Sequence, residues 1–323
     1  MEAGRGFTVS SAVKVYAALG VVYVVWGSTF LAIEYAVRTL PPFLAMSGRH
    51  LVAGSLLLAW GLSRTPRERI GRAQIVAATI FGGALFLGSH GGLAWSQTRI
   101  PSGVAALIVA SIPLWIAVLD RVFFGKRLSS RAVLGLLLGF AGIAVLVDPI
   151  GGGPIDTVGG LVALASAGSW AAGSLYSRGA PLPKNPIVSA GLASLAGGML
   201  LLAASALGGE LAGLDSSTVS GESLAGVAYL IVMGSLVGLT AYVWLLRAAP
   251  ISLVATYAYV NPVVAVLLGW AVVGEVISAR VLVAGVAIVL AVALIVSAPA
   301  ARRADGRGLF RRGVAVEDVA PTR

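Results

Sequence analysis

The chain has 323 residues, 58% of them hydrophobic and only 11% charged, with a mean hydropathy of +0.94. A soluble domain would carry about a quarter of its residues as charges, so this apolar excess points to burial in lipid, and apolar runs of about 20 residues without two-residue alternation read as spanning helices rather than barrel strands. The net charge of +10 is distributed in short segments between those runs, which leaves no basic face for nucleic acid, and the absence of cysteine excludes disulfides, thiolate nucleophiles and cysteine-ligated metal.

The first span is expected near 14–36. Lys14 precedes it, but the apolar stretch runs past the length of a signal-peptide core and should remain as a helix. Further spans are expected near 42–62, 73–95, 101–120, 130–147, 158–177, 187–207, 224–245, 251–273 and 279–298. Pro41-Pro42, Pro101, Pro186 and Pro250 fall at span starts, where a proline costs no hydrogen bond. The longest hydrophilic interruptions are 63–72, 148–157 and 208–223, and a polar tail follows from about 299.

With the N-terminus placed in the cytoplasm, 19 of the 23 lysines and arginines fall in cytoplasmic segments. Arg38, Arg99 and Arg280 are left outside and Arg49 lies within a span, the asymmetry that the positive-inside tendency predicts, so both termini are expected on the cytoplasmic side.

Trp95, Pro101, Pro113 and Gly125 recur as Trp244, Pro250, Pro262 and Gly274 at one offset of 149, and Trp26 answers Trp170 at 144. A repeat that advances by five helices reverses direction across the membrane, which predicts an all-α integral membrane protein of ten transmembrane helices in two inverted five-helix repeats. The expected organisation is a cytoplasmic segment 1–13, a first repeat 14–147, an outer linker 148–157, a second repeat 158–298 and a cytoplasmic tail 299–323.

The order WGSTF at 26–30, LPPF at 40–43, Arg49, the Pro113 helix, GKRL at 125–128, Trp170, the Asn261-Pro262 helix and Gly274-Glu275 resembles the drug/metabolite transporter superfamily, specifically its EamA-type ten-helix exporters. The resemblance covers roughly 14–298 and implies a multi-pass protein of the bacterial inner membrane that exports metabolites, amino acids in several members, through a central cavity. Related branches carry nucleotide sugars or phosphorylated sugars. The family often carries Gly-Glu after the fourth helix, where this chain has Gly125-Lys126.

Pro113 lies 12 residues beyond Pro101, and Pro262 the same distance beyond Pro250, which places both near the bilayer midplane, where each is expected to free a carbonyl toward a transport path or a packing partner. Asn261 adds donors and an acceptor at that depth, and Tyr257, four residues earlier, shares its face while Tyr259 points away. Trp26 and Trp170 are too deep for an interfacial belt; with Ser28 and Thr29 beside one and Ser174 near the other, they suit either a mixed apolar and polar cavity wall or wedges between helices. His90, among small residues, is a candidate cavity contact, proton site or packing histidine. Arg49, the one deep arginine, is expected to pair with Glu34, the alternatives being snorkelling to the surface or binding a substrate carboxylate.

No G-x-x-x-x-G-K-[ST] loop occurs, the Gly151-Gly152-Gly153 run lacks the context of a phosphate cradle, and the two histidines and few carboxylates form no recognised metal motif. No cofactor, metal or enzymatic activity is therefore expected. A transporter of small zwitterionic or amphipathic solutes, amino acids foremost, fits the sparse intramembrane charge; a sugar-phosphate or nucleotide-sugar exchanger and a small-molecule channel are the alternatives, and oligomeric state is left open.

Overall fold

In a computed structural model the chain is described over residues 9–65, 70–148 and 155–297. The Gly151-Gly152-Gly153 run, most of the linker, the first eight residues and the basic tail lie outside the described residues. All long elements are helical, and their starts follow local chemistry. Proline opens α2 (Pro42–Arg64) and α7 (Pro186–Leu207). Side-chain oxygens of Ser129, Asp156 and Ser278 accept from backbone N–H groups in the first turns of α5 (Ser130–Val147), α6 (Thr157–Tyr176) and α10 (Ala279–Val296).

The remaining elements are α1 (Val9–Ala36), α3 (Arg72–Ser96), α4 (Ser102–Phe124), α8 (Gly221–Leu246) and α9, which consists of a turn at Ile251–Val254 followed by Tyr257–Val273. Two of these are irregular in the same way: α3 contains a π-helical stretch at Gly83–Gly91 and α8 one at Leu230–Val237. Two others are broken near their starts, α4 between Ser102–Val109 and Ile112–Phe124, and α9 between its two pieces. Gly125 and Gly274 end α4 and α9 in the left-handed region, at φ 63° and 70°, a conformation that only glycine adopts without strain.

Among the described residues, nine helices are long and apolar enough to cross a bilayer, and the longer piece of α9 falls short of that length. The sequence predicts a ninth span at 251–273, disturbed at Pro262; the chain instead interrupts its helix earlier, at Ala255-Thr256, so no single continuous helix fills that stretch. Pro113 also differs from expectation. It is among the first two residues of the second piece of α4, where its missing N–H breaks no helical bond, whereas Pro262 sits inside a helix.

The bundle shows repeat-like contacts. α2 packs along α7 and α5 along α10, while α1 packs on α8 and α9 as α6 packs on α3 and α4. The buried centre is aliphatic, around Ile33, Met46, Ile108, Leu114, Leu146 and Ile288, and a smaller cluster joins Val15, Leu19 and Val22 to Leu245. Leu134, Leu137, Val283 and Leu290 stay exposed on α5 and α10, as a surface facing acyl chains requires.

The two ends of the bundle differ chemically. One joins Arg38 to Glu222, Arg99 to Asp156 and Arg280 to Asp148. At the other, Asp120 holds Lys126 at 2.9 Å and Arg178 at 3.0 Å, in the end where most of the described basic residues collect. They are called the acidic and basic ends below.

Candidate functional site

Two polar and aromatic clusters form inside the bundle, one around each of the deep tryptophans. The first gathers on the π-helical stretch of α8. Trp26 Nε1 donates to the Gly234 carbonyl at 3.3 Å, and Arg49 Nε donates to Ser235 Oγ at 3.2 Å. A Cβ at Gly234 would lie 3.1 Å from Thr29 Cγ2 and 3.3 Å from Arg49 Nη2, so the guanidinium and Thr29 converge on that one glycine. Trp26 packs against Tyr242 at 5.1 Å and edge-on to Tyr257 at 5.2 Å, and Tyr23 hydrogen-bonds Thr256 nearby. The π bulge gives this stretch its shape by displacing α8 locally from a regular helical surface.

Arg49 is only 5% exposed and takes part in none of the ion pairs formed by the described residues. The expected pairing with Glu34 does not form. Glu34 lies toward the acidic end, 3.6 Å from Arg38 one helical turn away and in contact with Ser102 and Glu275. Glu34 thus meets Arg38, Ser102 and Glu275 rather than Arg49, with its Oε2 left without a hydrogen-bond partner, and Arg49 turns to Ser235 on α8 instead.

The second cluster centres on two histidines. His50 Nε2 and His90 Nδ1 are 2.9 Å apart, His50 packs on Phe86 at 4.1 Å, and His90 stacks on Trp170 at 5.4 Å. His90 reaches this position from the π-helical stretch of α3 and Trp170 from α6, so the second cluster repeats the combination of deep tryptophan and π helix seen in the first. His50 Nδ1 is buried with no hydrogen-bond partner. A histidine pair bridged by one hydrogen must split its roles, one ring donating and the other accepting.

The hydroxyls expected to line a path are mostly engaged locally. Ser28 Oγ donates to the Val25 carbonyl at 2.9 Å and lies 2.7 Å from the Tyr229 hydroxyl; Thr29 bonds the Trp26 carbonyl and Ser174 the Trp170 carbonyl, each one turn back. Their oxygens keep acceptor capacity but spend their hydrogens on the helix.

Both broken helices carry buried polar atoms without a partner. Ser111 Oγ and Trp115 Nε1 on α4, and Asn261 Oδ1 on α9, are buried without a hydrogen-bond partner. Tyr257 meets Trp26 of α1, and a Cβ at Gly27 would lie 3.2 Å from the backbone oxygen of Asn261, so α1 and α9 approach closely here. Tyr259 packs against the main aliphatic core, and Pro262 is buried beside Asn261. Pro113 stands two residues before Trp115, whose ring packs edge-on to Phe140 and lies 3.5 Å from where a Cβ on Gly168 would be. Each such atom is costly to bury unmet, so a polar ligand or water that met one of them would gain by binding.

Sequence reading missed His50, Phe86, Ser235, Tyr242 and Trp115. The adjacency of His50 to Arg49 was a usable signal, since both must occupy the inner face of one span. Ser235 had none, because its position depends on the π bulge.

The profile of the EamA-like transporter family matches residues 14–148 and again 157–297. The chain belongs to that family. It is therefore a multi-pass membrane transporter rather than an enzyme, and no group of three or more potential metal-ligating side chains occurs among the described residues. It is 37% identical over 268 residues to YedA of Escherichia coli strain K12, an uncharacterised inner membrane transporter, with 81% of this chain and 84% of that protein covered. It is 26% identical over 172 residues, 49% of this chain and 51% of the relative, to a protein of the same strain described as a probable amino-acid metabolite efflux pump. A solved crystal structure at 24% identity shares the fold with a TM-score of 0.57, covering 88% of this chain and 97% of the other.

Proposed function

We propose that this transporter exports small amphipathic metabolites, amino acids first among them, from the cytoplasm of a bacterium across its inner membrane by alternating access. In this reading ten spans form two inverted five-helix halves, 14–147 and 158–298, joined by the outer linker 148–157. The segments 1–13 and 299–323 lie in the cytoplasm. The duplicated family match, the mirrored helix contacts and the paired π-helical stretches support the repeat, and the YedA likeness supports the location. The substrate path runs between the halves past Trp26 and Trp170, with polar anchors from Arg49, His90 and Asn261.

The observation that carries the substrate class is the buried Arg49, which has no carboxylate counterpart among the described residues. A guanidinium held in a low-dielectric interior is stabilised most by an anion that can accept two of its N–H groups, and a carboxylate has that geometry. The Trp26, Tyr242 and Tyr257 rings, 5–6 Å from one another in the same cluster, suit an apolar side chain. One deep cation suits a monocarboxylate better than a phosphate dianion. Counterflow in reconstituted vesicles tests this directly with an amino acid and its carboxamide as competitors. The acid is expected to compete by about 10–100-fold better in the wild type, the range of one charge-assisted pair, and Arg49→Gln is expected to erase that difference. Equal competition by acid and amide in the wild type would remove Arg49 as the anchor.

A further inference from the structure

Two carboxylates at the acidic end cap helices other than their own. Glu210 accepts from the Phe43 and Leu44 N–H groups at 3.3 and 3.0 Å, at the start of α2. Glu275, just beyond Gly274, does more. Its Oε1 accepts from Ser102 N and Ser102 Oγ, both at 2.6 Å, and its Oε2 accepts from Gly103 N at 2.9 Å, so one side chain satisfies the first two N–H groups of α4. The close fit is built in: a Cβ on Gly103 would lie 2.9 Å from Oε2. Glu34 of α1 touches the same pair, which brings α1, α4 and the α9–α10 turn together at one point.

Among the described residues, no carboxylate at the basic end caps a helix. The position matching Glu275 at the offset of 149 is Lys126, which turns back to Asp120 at 2.9 Å. A cation could not cap the start of α9 in any case, because a helix N-terminus repels positive charge. The counterpart of the Glu210 contact is also weaker in kind: Asn185 caps its own helix α7 and donates to Thr65 Oγ1 at 3.2 Å, a neutral bond between α7 and α2.

We propose that Glu275 is the latch of the gate at the acidic end, a positioning residue that holds that end closed by capping α4 and must release Ser102 and Gly103 each time the end opens. The proposal rests on the alternating-access reading. Closing the acidic end brings a carboxylate onto two oriented N–H groups and a hydroxyl; opening it breaks three charge-assisted bonds at once and returns those groups to water. At the basic end the described charged tie between the halves is the Arg178–Asp120 pair, at 3.0 and 3.2 Å, which caps no helix and leaves its arginine about half exposed. The two gates of a backbone that is nearly repeated are therefore tied by different means, a helix cap at one end and a water-facing ion pair at the other.

The test uses the full chain in lipid nanodiscs, spin-labelled at Thr98→Cys and Val276→Cys. Both residues are exposed, Val276 at 84%, they flank the latch on the α3–α4 and α9–α10 turns, and the chain has no native cysteine. Glu275→Gln keeps the length of the side chain but turns an amide N–H₂ toward a backbone donor. Electron–electron distance measurements should show the ratio of open to closed populations rising by about tenfold in Glu275→Gln, the effect of losing one strong cap, with a smaller rise in Ser102→Ala. A distance distribution identical to that of the unsubstituted labelled chain would overturn the latch. If Glu275→Gln is not monodisperse, Glu275→Asp is read by the same criterion. Substrate counterflow by the unsubstituted chain is measured alongside: its absence counts against alternating access itself, while saturable counterflow with an unchanged distance distribution in the variants counts against the latch alone.

Discussion

The sharpest stability prediction concerns the α2–α7 contact, where two backbones meet without intervening side chains. A Cβ placed on Gly54 would lie 2.7 Å from Leu195 N, 2.9 Å from Ser194 Cβ and 3.0 Å from Gly191 O. Two of these three atoms are backbone and the third is fixed to it, so no rotamer change relieves the clash. The nearest is about 0.7 Å inside the 3.4 Å at which ordinary contact begins, and the helices must part by a comparable amount. Overpacking of this kind costs about 1–3 kcal/mol, and the better helix propensity of alanine returns up to about 1 kcal/mol, leaving a net loss of about 0.5–2 kcal/mol. Gly54→Ala should therefore lower the apparent Tm in detergent by about 1–3 °C. Gly20→Ala is the control, since nothing lies within 4 Å of its added methyl, and its Tm should be unchanged or slightly raised. A Gly54→Ala protein as stable as the wild type would mean that α2 and α7 do not meet backbone to backbone at this point.

The remaining predictions concern orientation and the two tryptophans. Ser217→Cys, on the acidic-end turn after α7, should react with a membrane-impermeant maleimide added outside intact cells, and Arg131→Cys at the basic end should not; the reverse pattern would invert the proposed orientation. Trp26→Ala and Trp170→Ala should each change substrate affinity or rank order in counterflow, while Trp26→Phe and Trp170→Phe, which keep an aromatic wall and lose the indole N–H, should change it less. Unchanged kinetics in both alanine variants, in monodisperse protein, would return these residues to helix packing.

What the sequence made legible follows from what a bilayer enforces. Apolar runs had to be helices of a certain length, so most span limits fall within a few residues of those expected, and α5 matches at both ends, because Ser129 and Asp148 bound an uninterrupted apolar run. The family was legible because motifs such as WGSTF and Gly274-Glu275 combine special backbone needs with fixed order. Local backbone irregularity was not. The π-helical stretches at Gly83–Gly91 and Leu230–Val237 hold ordinary apolar and glycine residues, and their register shift depends on tertiary contacts. That shift decides which residues reach Arg49 and His50, so the partner of Arg49 was misjudged although its depth was not. The break in α4 was hidden for a related reason: Pro113 marks it, but the chain leaves the helix earlier, at Ala110-Ser111, so the proline starts a new piece rather than kinking an old one.

These details locate the difference between the halves. Backbone devices recur across the offset: a left-handed glycine ends both α4 and α9, a break interrupts both, and π-helical stretches shape both α3 and α8. Side-chain charge does not recur. Arg49 stands beside the first tryptophan cluster, while its counterpart region on α7 contributes glycines and serines to the contact with α2; Glu275 caps α4, while Lys126 serves an ion pair with Asp120. A repeated backbone can rock between two equivalent arrangements only if its energetic ties at the two ends are also equivalent. Here the described ties differ in kind, a Glu275 helix cap at one end and an Arg178–Asp120 pair at the other, so in the proposed alternating-access cycle the two closed arrangements are not equivalent. In that cycle a substrate that opens the acidic end must offset the Glu275 contacts together with the Arg38–Glu222 pair. A ligand that binds both arrangements equally would shift nothing, so Arg49 must meet its anion differently in the two states for binding to drive transport.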